Sequence, residues 1–369
     1  MIRLRRHVAD LAPVHHGSIT DPELDALGLT RDQVIDFSVN THPFGPSPTA
    51  VEAARGAVWT AYPDDGACIL RRELAAHNRV TKAEVVVGNG SVELIWLIAL
   101  AFLEPGDAVV VVGPTFGEYA RATRIAGGIV HEYHANLADS FAIDLTAVTD
   151  LVRCVDARLV FLCNPNNPTG SLVPLVALRT LAEQLPETLV VVDEAYRQFL
   201  DEPPPSTSLL ACGNVMLLRS LTKDYALTGL RLGYVLAPAQ LTNAVDRVRP
   251  HWNVNAIACA VGLAAMRDDA HLERGRAEVR RARAYLTAAL TDLGLRVLPA
   301  TANFILVDVG EARQVRAALL RHGICVRDCS SFGLPTSIRI GLRPLAACER
   351  LVAACIAAGV GARAGARRG

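Results

Sequence analysis

The sequence predicts an α/β protein: a large domain with a mainly parallel, helix-covered sheet, and a smaller α+β domain. Between about Val85 and Pro238, short β-branched runs alternate with segments of helical period. The runs are apolar throughout rather than at every second position, as in strands buried on both faces. Glycines and polar residues recur where the runs end, and open α/β sheets bind their ligands beyond the carboxyl ends of their strands.

Taken in order, the first 45 residues carry several turn formers and read as an arm that joins the smaller domain. The large domain is expected over 46–250. There "EVVVGNG" gives a strand and "SVELIWLIALAFL" a helix, then "AVVVVGP" a strand and "GEYARATRIAGG" a helix. The pattern continues with the strand "ARLVFLCNP", the helix "PLVALRTLAEQLP" and the strands "TLVVVDEAY", "VMLLRSLT" and "LRLGYVLAP". After Arg249 the texture changes to the arginine-rich helical stretch "HLERGRAEVRRARAYLTAALTDLG", then "RVLPATANFILVDV" and "GICVRDCSSFGLPTSIRIGLRP". The smaller domain is therefore expected over 251–356. Residues 357–369 are small and basic without an apolar face, and are expected to be disordered.

At 369 residues and 51% hydrophobic, the chain is long enough for a large core in two domains. Lys+Arg and Asp+Glu both number 37, so no net field draws in nucleic acid or an anionic membrane, and neither is expected as a partner. The nine cysteines form no CxxC pair, which argues for reduced thiols and against a disulfide framework. The histidines show no HExxH spacing, so no metal is expected. "MIRLRRHVADLAPVHHG" lacks an apolar region after its arginines, and "LIWLIALAFL" is far too short to span a bilayer. The expectation is a soluble, cytoplasmic protein.

Lys223 stands in "SLTKDYALTGLR", with two hydroxyls just upstream and Arg231 eight residues on, between stretches that read as buried. A buried ammonium is costly unless it is paired or neutralised, so Lys223 is expected to have a reaction or a partner. "GNGSVE" follows a strand and opens a helix, which leaves the amides of Gly90, Ser91 and Val92 free for an anion. "CNPNNPTG" is a rigid polar turn. "VVVDEAY" puts Asp193 at the end of an apolar strand, where burial raises a carboxyl pKa unless a cation lies close. Each has an ordinary structural reading when taken singly. Together they suit an aromatic aldehyde with a phosphate tail, a pyridine nitrogen and a phenolic oxygen.

The ordered set "YPD" (Tyr62), "GNGSVELI", "PTF" (Phe116), "NPTG" (Asn167), "DEAY" (Asp193, Tyr196) and "SLTK" with Arg231 resembles the fold-type I pyridoxal-phosphate (PLP) enzymes of the aminotransferase class I/II superfamily. The resemblance covers nearly the whole chain. It implies that Lys223 joins the cofactor aldehyde as a Schiff base and that Asp193 pairs with the ring nitrogen. Tyr196 and Asn167 would meet the phenolic oxygen, and Phe116 would stack on the ring. The phosphate would lie among Gly90, the Ser91 and Val92 amides, Ser220, Thr222 and Arg231. Tyr62 would reach in from the other subunit of a homodimer.

Within the superfamily, "HHGS" before "IDFSVNTHPFG", with "HWNVNAIA" and "GICVRDCSSF", most resembles the L-threonine-O-3-phosphate decarboxylases of cobalamin synthesis. "FSVNTHPFGPSP" and "SIRIGLR" also resemble the histidinol-phosphate aminotransferases. The expected activity is thus decarboxylation of L-threonine O-3-phosphate to aminopropanol phosphate, with transamination as the alternative. Arg339 corresponds to the position that grips the substrate carboxylate, and Arg327 with His16 and Asn40 would hold a small substrate's phosphate. His42 stands where both groups usually carry asparagine, and Ser18 where the decarboxylase pattern continues with glycine. Both fall toward the expected substrate end.

Overall fold

The structure, a computed structural model, describes residues 5–9, 11, 17 and 19–361. A short strand β1 (Ile35–Asp36) precedes the strands of the large sheet: β2 (Val85–Gly88), β3 (Ala108–Gly113), β4 (Ile129–His134), β5 (Leu159–Cys163), β6 (Leu189–Asp193), β7 (Val215–Ser220) and β8 (Gly233–Leu236). They lie in the order β2-β8-β7-β6-β5-β3-β4. Only β8 runs antiparallel to its neighbours, so the sheet is mainly parallel, as the sequence predicts.

Alternate residues of each central strand feed two separate cores. Val190 and Val192 of β6, with Val215 and Leu217 of β7, pack on one face. Leu189, Val191, Met216 and Leu218 pack on the other. Burial on both faces is why these strands read as unbroken apolar runs. The edge strand β4 was not among the expected strands. It carries His131, Glu132 and His134 and is partly exposed along its length, so it lacks the apolar run that marks the others.

After the large sheet come β9 (Arg296–Val297), β10 (Phe304–Asp308), β11 (Ile324–Cys325), β12 (Arg327–Asp328) and β13 (Ser337–Gly341). A four-stranded antiparallel sheet in the order β12-β13-β10-β9 forms the smaller unit, while β1 pairs parallel with β11 and brings the N-terminal segment onto it. Its core collects Phe37, Ile305, Val307 and Ile340 with residues of the helices Asp269–Asp292 and Leu345–Ala357. Val360 belongs to the same core, so packing continues past residue 356, where the disordered tail was expected to begin. Among the described residues no helix is long and apolar enough to cross a membrane.

The helix Asp269–Asp292 joins the two units. Leu272 near its start belongs to the large core, whereas Val279, Ala282, Leu286 and Leu290 belong to the small one. Gly275 interrupts it at a position where glycine costs about 1 kcal/mol relative to alanine.

Candidate active site

The polar residues at the strand ends converge on a cleft of about 640 Å³ between the large sheet and the small one. Ser38, Asn40, Phe116, Asn167, Tyr196, Lys223, Arg327 and Arg339 line it. Lys223 sits on the short helix Leu221–Asp224 that follows β7, half-buried, and its Nζ donates to Thr222 Oγ1 at 3.2 Å. Burial, then the charges of Arg231 and Arg339, lower its pKa to about 8 against the smaller opposing pull of Asp193 and Asp224.

Asp193 ends β6 and is buried. The Tyr119 hydroxyl donates to its Oδ2 at 2.6 Å, and the Ala195 amide to its Oδ1 at 2.9 Å. Burial nonetheless outweighs these bonds and raises its pKa to about 6. Tyr119 was missed by sequence reasoning. The signal available was its place three residues after Phe116, whose ring it meets edge-on at 5.8 Å.

Near Lys223 the strand ends form a cup built from backbone. Gly233 of β8 pairs with Gly88 on one side and with Ser220 on the other, which lines up the ends of β2, β8 and β7. A Cβ on Gly233 would fall 2.7 Å from the Ser91 amide nitrogen, and one on Gly90 would fall 2.7 Å from Arg231 Nη2. The loop therefore closes on the helix Ser91–Phe102 only because side chains are missing there; Gly90 also has a φ of 85°. Val92 follows Ser91 in the first turn of this helix, so both amides lack helical partners. The Ser220 and Thr222 hydroxyls are 2.6 Å apart, and Arg231 is fixed by a bond from Nη1 to the Thr228 carbonyl at 2.9 Å.

The far side of the cleft belongs to the small sheet. Arg327 of β12 and Arg339 of β13 stand directly opposite each other, both buried. Like charges in cross-strand register repel, and the Arg327 pKa is lowered by burial and by Arg339. Arg339 Nη2 donates to the Ser38 carbonyl at 2.6 Å, and Nη1 donates to Asn167 Oδ1. With its amide oxygen turned toward Arg339, Asn40 accepts from Nε at 3.2 Å and Nη1 at 3.1 Å. Arg327 Nη2 donates to Ser331 Oγ at 2.7 Å, and its guanidinium lies 5.3 Å from the Phe332 ring centre. Ser331 and Phe332 were not singled out from the sequence. Gly17 abuts Arg327 so closely that a Cβ would strike Nη1.

Not every expected residue joins this group. His16 and Ser18 lie outside the described residues. Tyr62 is 80% exposed and stacks on Trp252 at 4.5 Å, outside the cleft of its own chain. His42 does not face the cleft either; its ring is buried against the helix Asp269–Asp292. The departure at this position therefore does not touch the substrate end directly. Tyr196 is buried edge-on against Phe304, and burial pushes its pKa up to about 12.

Behind the cleft, residues next in sequence face the opposite way. Glu194, Arg219 and Asp224 are neighbours of Asp193, Ser220 and Lys223, and they line a small enclosed polar cavity with Arg197 and Tyr234. Arg219 Nε donates to Glu194 Oε2 at 2.8 Å, Nη2 to Ser206 Oγ at 2.9 Å, and Nη1 to Asn78. Burial drives the Asp224 pKa well up, against the opposing pull of Arg197, Lys223 and Arg219.

Comparison with known proteins matches residues 32–354 to a family described as aminotransferase class I and II. The histidinol-phosphate aminotransferase of Symbiobacterium thermophilum is 40% identical over 92% of this chain and 94% of that protein. The crystal structure of histidinol-phosphate aminotransferase from Sinorhizobium meliloti in complex with pyridoxal-5'-phosphate superposes with a TM-score of 0.89 at 28% identity, covering 97% of this chain and 98% of that one. L-threonine-O-3-phosphate decarboxylase from Porphyromonas gingivalis gives a TM-score of 0.78 at 26% identity, with 88% and 99% covered. These likenesses correct the expectation of threonine-phosphate decarboxylation and of a place in cobalamin synthesis. Arg339, anchored by Ser38, Asn40 and Asn167, presents a fixed guanidinium to the cleft whichever bond a substrate breaks, so the motif around it does not choose between the two reactions.

Proposed function

Because the chain belongs to the aminotransferase class I and II family, we propose that it is a PLP-dependent aminotransferase of the histidinol-phosphate type. It would exchange the amino group of a small phosphorylated amine with a 2-oxo dicarboxylic acid. The observation that carries this reading is the buried pair Arg327 and Arg339, held opposite each other and lining one cleft with Lys223. Guanidinium groups pair bidentately with phosphates and carboxylates, so the phosphate of one substrate and a carboxylate of the other both suit this end of the cleft in turn.

The residues fit the cofactor on grounds of their own. The glycine-lined cup at Gly88, Gly90 and Gly233 has the free amides, hydroxyls and arginine that a phosphate needs. Asp193, whose pKa is about 6, is suited to share a proton with a pyridine nitrogen. When bound, the cofactor supplies an electron-accepting ring conjugated to the substrate amine. Lys223 Nζ, with a pKa of about 8, would hold the cofactor's aldehyde as a neutral amine and, when the substrate amine takes its place there, would be the base that moves a proton at the substrate carbon. Asn167 gives its Oδ1 to Arg339, so its Nδ2 is left for the phenolic oxygen beside Tyr196. Phe116 would cover the ring face, and Ser91, Val92, Ser220, Thr222 and Arg231 would hold the phosphate. Tyr62 is offered to the site of a second subunit.

Loaded protein incubated with histidinol phosphate and 2-oxoglutarate should produce glutamate with saturation in both substrates, and Lys223→Ala should abolish it. Absence of glutamate from protein that carries the yellow cofactor would overturn the assignment. Arg327→Met should raise KM for the phosphorylated amine by about tenfold or more while leaving cofactor binding intact.

A further inference from the structure

We infer that His42 is a positioning residue for Lys223 and Arg339, clamping the segment Ser38–Gly45 to the helix Asp269–Asp292. The inference rests on the aminotransferase reading of the cleft.

The clamp is reciprocal. The His42 ring, 1% exposed, stacks on His271 with centres 4.2 Å apart and planes 19° from parallel. His42 Nε2 donates to the His271 carbonyl at 3.1 Å, while Nδ1 accepts from the Phe44 amide at 3.3 Å. His271 Nε2 donates in return to the Gly45 carbonyl at 2.9 Å, and its Nδ1 accepts from Arg274 at 3.2 Å. These partners place the single ring proton of His42 on Nε2, so that ring is neutral. The groups facing His42 agree, since burial, then His271 and Arg274, lower its pKa to about 4.

Gly275 provides the room. A Cβ there would fall 1.9 Å from His42 Nε2, so the helix interior accepts a poor helix former to admit this ring.

The other end of the segment reaches the chemistry. The His42 amide donates to the Lys223 carbonyl at 2.9 Å. The Ser38 carbonyl and the Asn40 side chain hold Arg339. One segment thus touches both groups that must meet the substrate, and His42 ties it to the helix whose residues belong to both cores. Small displacements of such positioning parts cost much in kcat/KM.

The test uses holoprotein carrying His42→Ala, Gly275→Ala, the double substitution, and the milder His42→Asn. Three quantities are read: KM and kcat, the pH midpoint of the bound cofactor's absorbance, and the melting temperature. Around Lys223 stand Asp193, Asp224, Arg231 and Arg339. Loosening Arg339 takes a positive charge away from the Lys223 nitrogen, which favours the protonated form of whatever that nitrogen is bonded to, so the midpoint should move upward. KM for both substrates should rise about tenfold in His42→Ala, with kcat falling less. Gly275→Ala should do the same because its methyl displaces the ring. The double variant should be no worse than His42→Ala, since the two changes break one contact. If His42→Ala does not fold, His42→Asn and Gly275→Ala carry the test. A change in melting temperature alone, or additive effects in the double variant, would overturn the clamp. Protein that makes no glutamate but still shows the midpoint shift would refute the transamination reading and leave the clamp standing.

Discussion

Lys223 is held where a charged amine is costly, and this has a measurable sign. Its folded pKa of about 8 lies below the ordinary lysine value, so the penalty is fully present below pH 8 and relieved as pH rises through the window up to about 10.4. Cofactor-free Lys223→Met should therefore be more stable than the parent by on the order of 3 kcal/mol at pH 7, the gain vanishing by about pH 10.5. Denaturant melts across that range check it. Tyr119→Phe removes a bond that lowers the Asp193 pKa, so this pKa should climb above 6 and the loss of a charged hydrogen bond should weaken cofactor affinity about tenfold or more. Equilibrium dialysis against pH would read both. Lys223, Asp193 and Asn167 could be singled out in the sequence because their residue types and order match one family's pattern. Tyr119, Ser331 and Phe332 were not, because a hydroxyl three residues along a helix, or a turn between strands, looks the same whether or not it meets a carboxylate or a guanidinium.

Where whole elements are concerned, burial decided what could be read. The strands β5, β6 and β7 are packed on both faces and announce themselves as apolar runs. The edge strand β4 has one neighbour and half-wet side chains, so only its pairing with β3 makes it a strand. Strand register also sets the cup. Gly233 is fixed between Gly88 and Ser220, and the atoms a methyl would meet there are backbone. Gly233→Ala should weaken PLP binding by about tenfold or more and lower the melting temperature, whereas Gly213→Ala, at a glycine with open space around it but a φ of 83°, should leave cofactor affinity unchanged. Fluorescence titration with the cofactor distinguishes the two.

For the molecule as a whole, the exposed rings of Tyr62, Trp59 and Trp252 fit a homodimer in which Tyr62 completes a neighbour's site. Co-refolded Tyr62→Ala and Lys223→Ala chains should then regain activity, because each mixed dimer holds one intact site; random pairing restores about a quarter of the sites. No recovery would mean that Tyr62 acts within its own chain or not at all. The back-to-back placement of Asp193 with Glu194, Ser220 with Arg219 and Lys223 with Asp224 limits how such a protein can diversify. A substitution at any of these six positions disturbs the ion cluster and the reaction chamber together, so laboratory selection for new substrates should leave them untouched. Accepted changes should gather instead at the β12–β13 turn around Ser331 and Phe332, whose backs carry no such obligation.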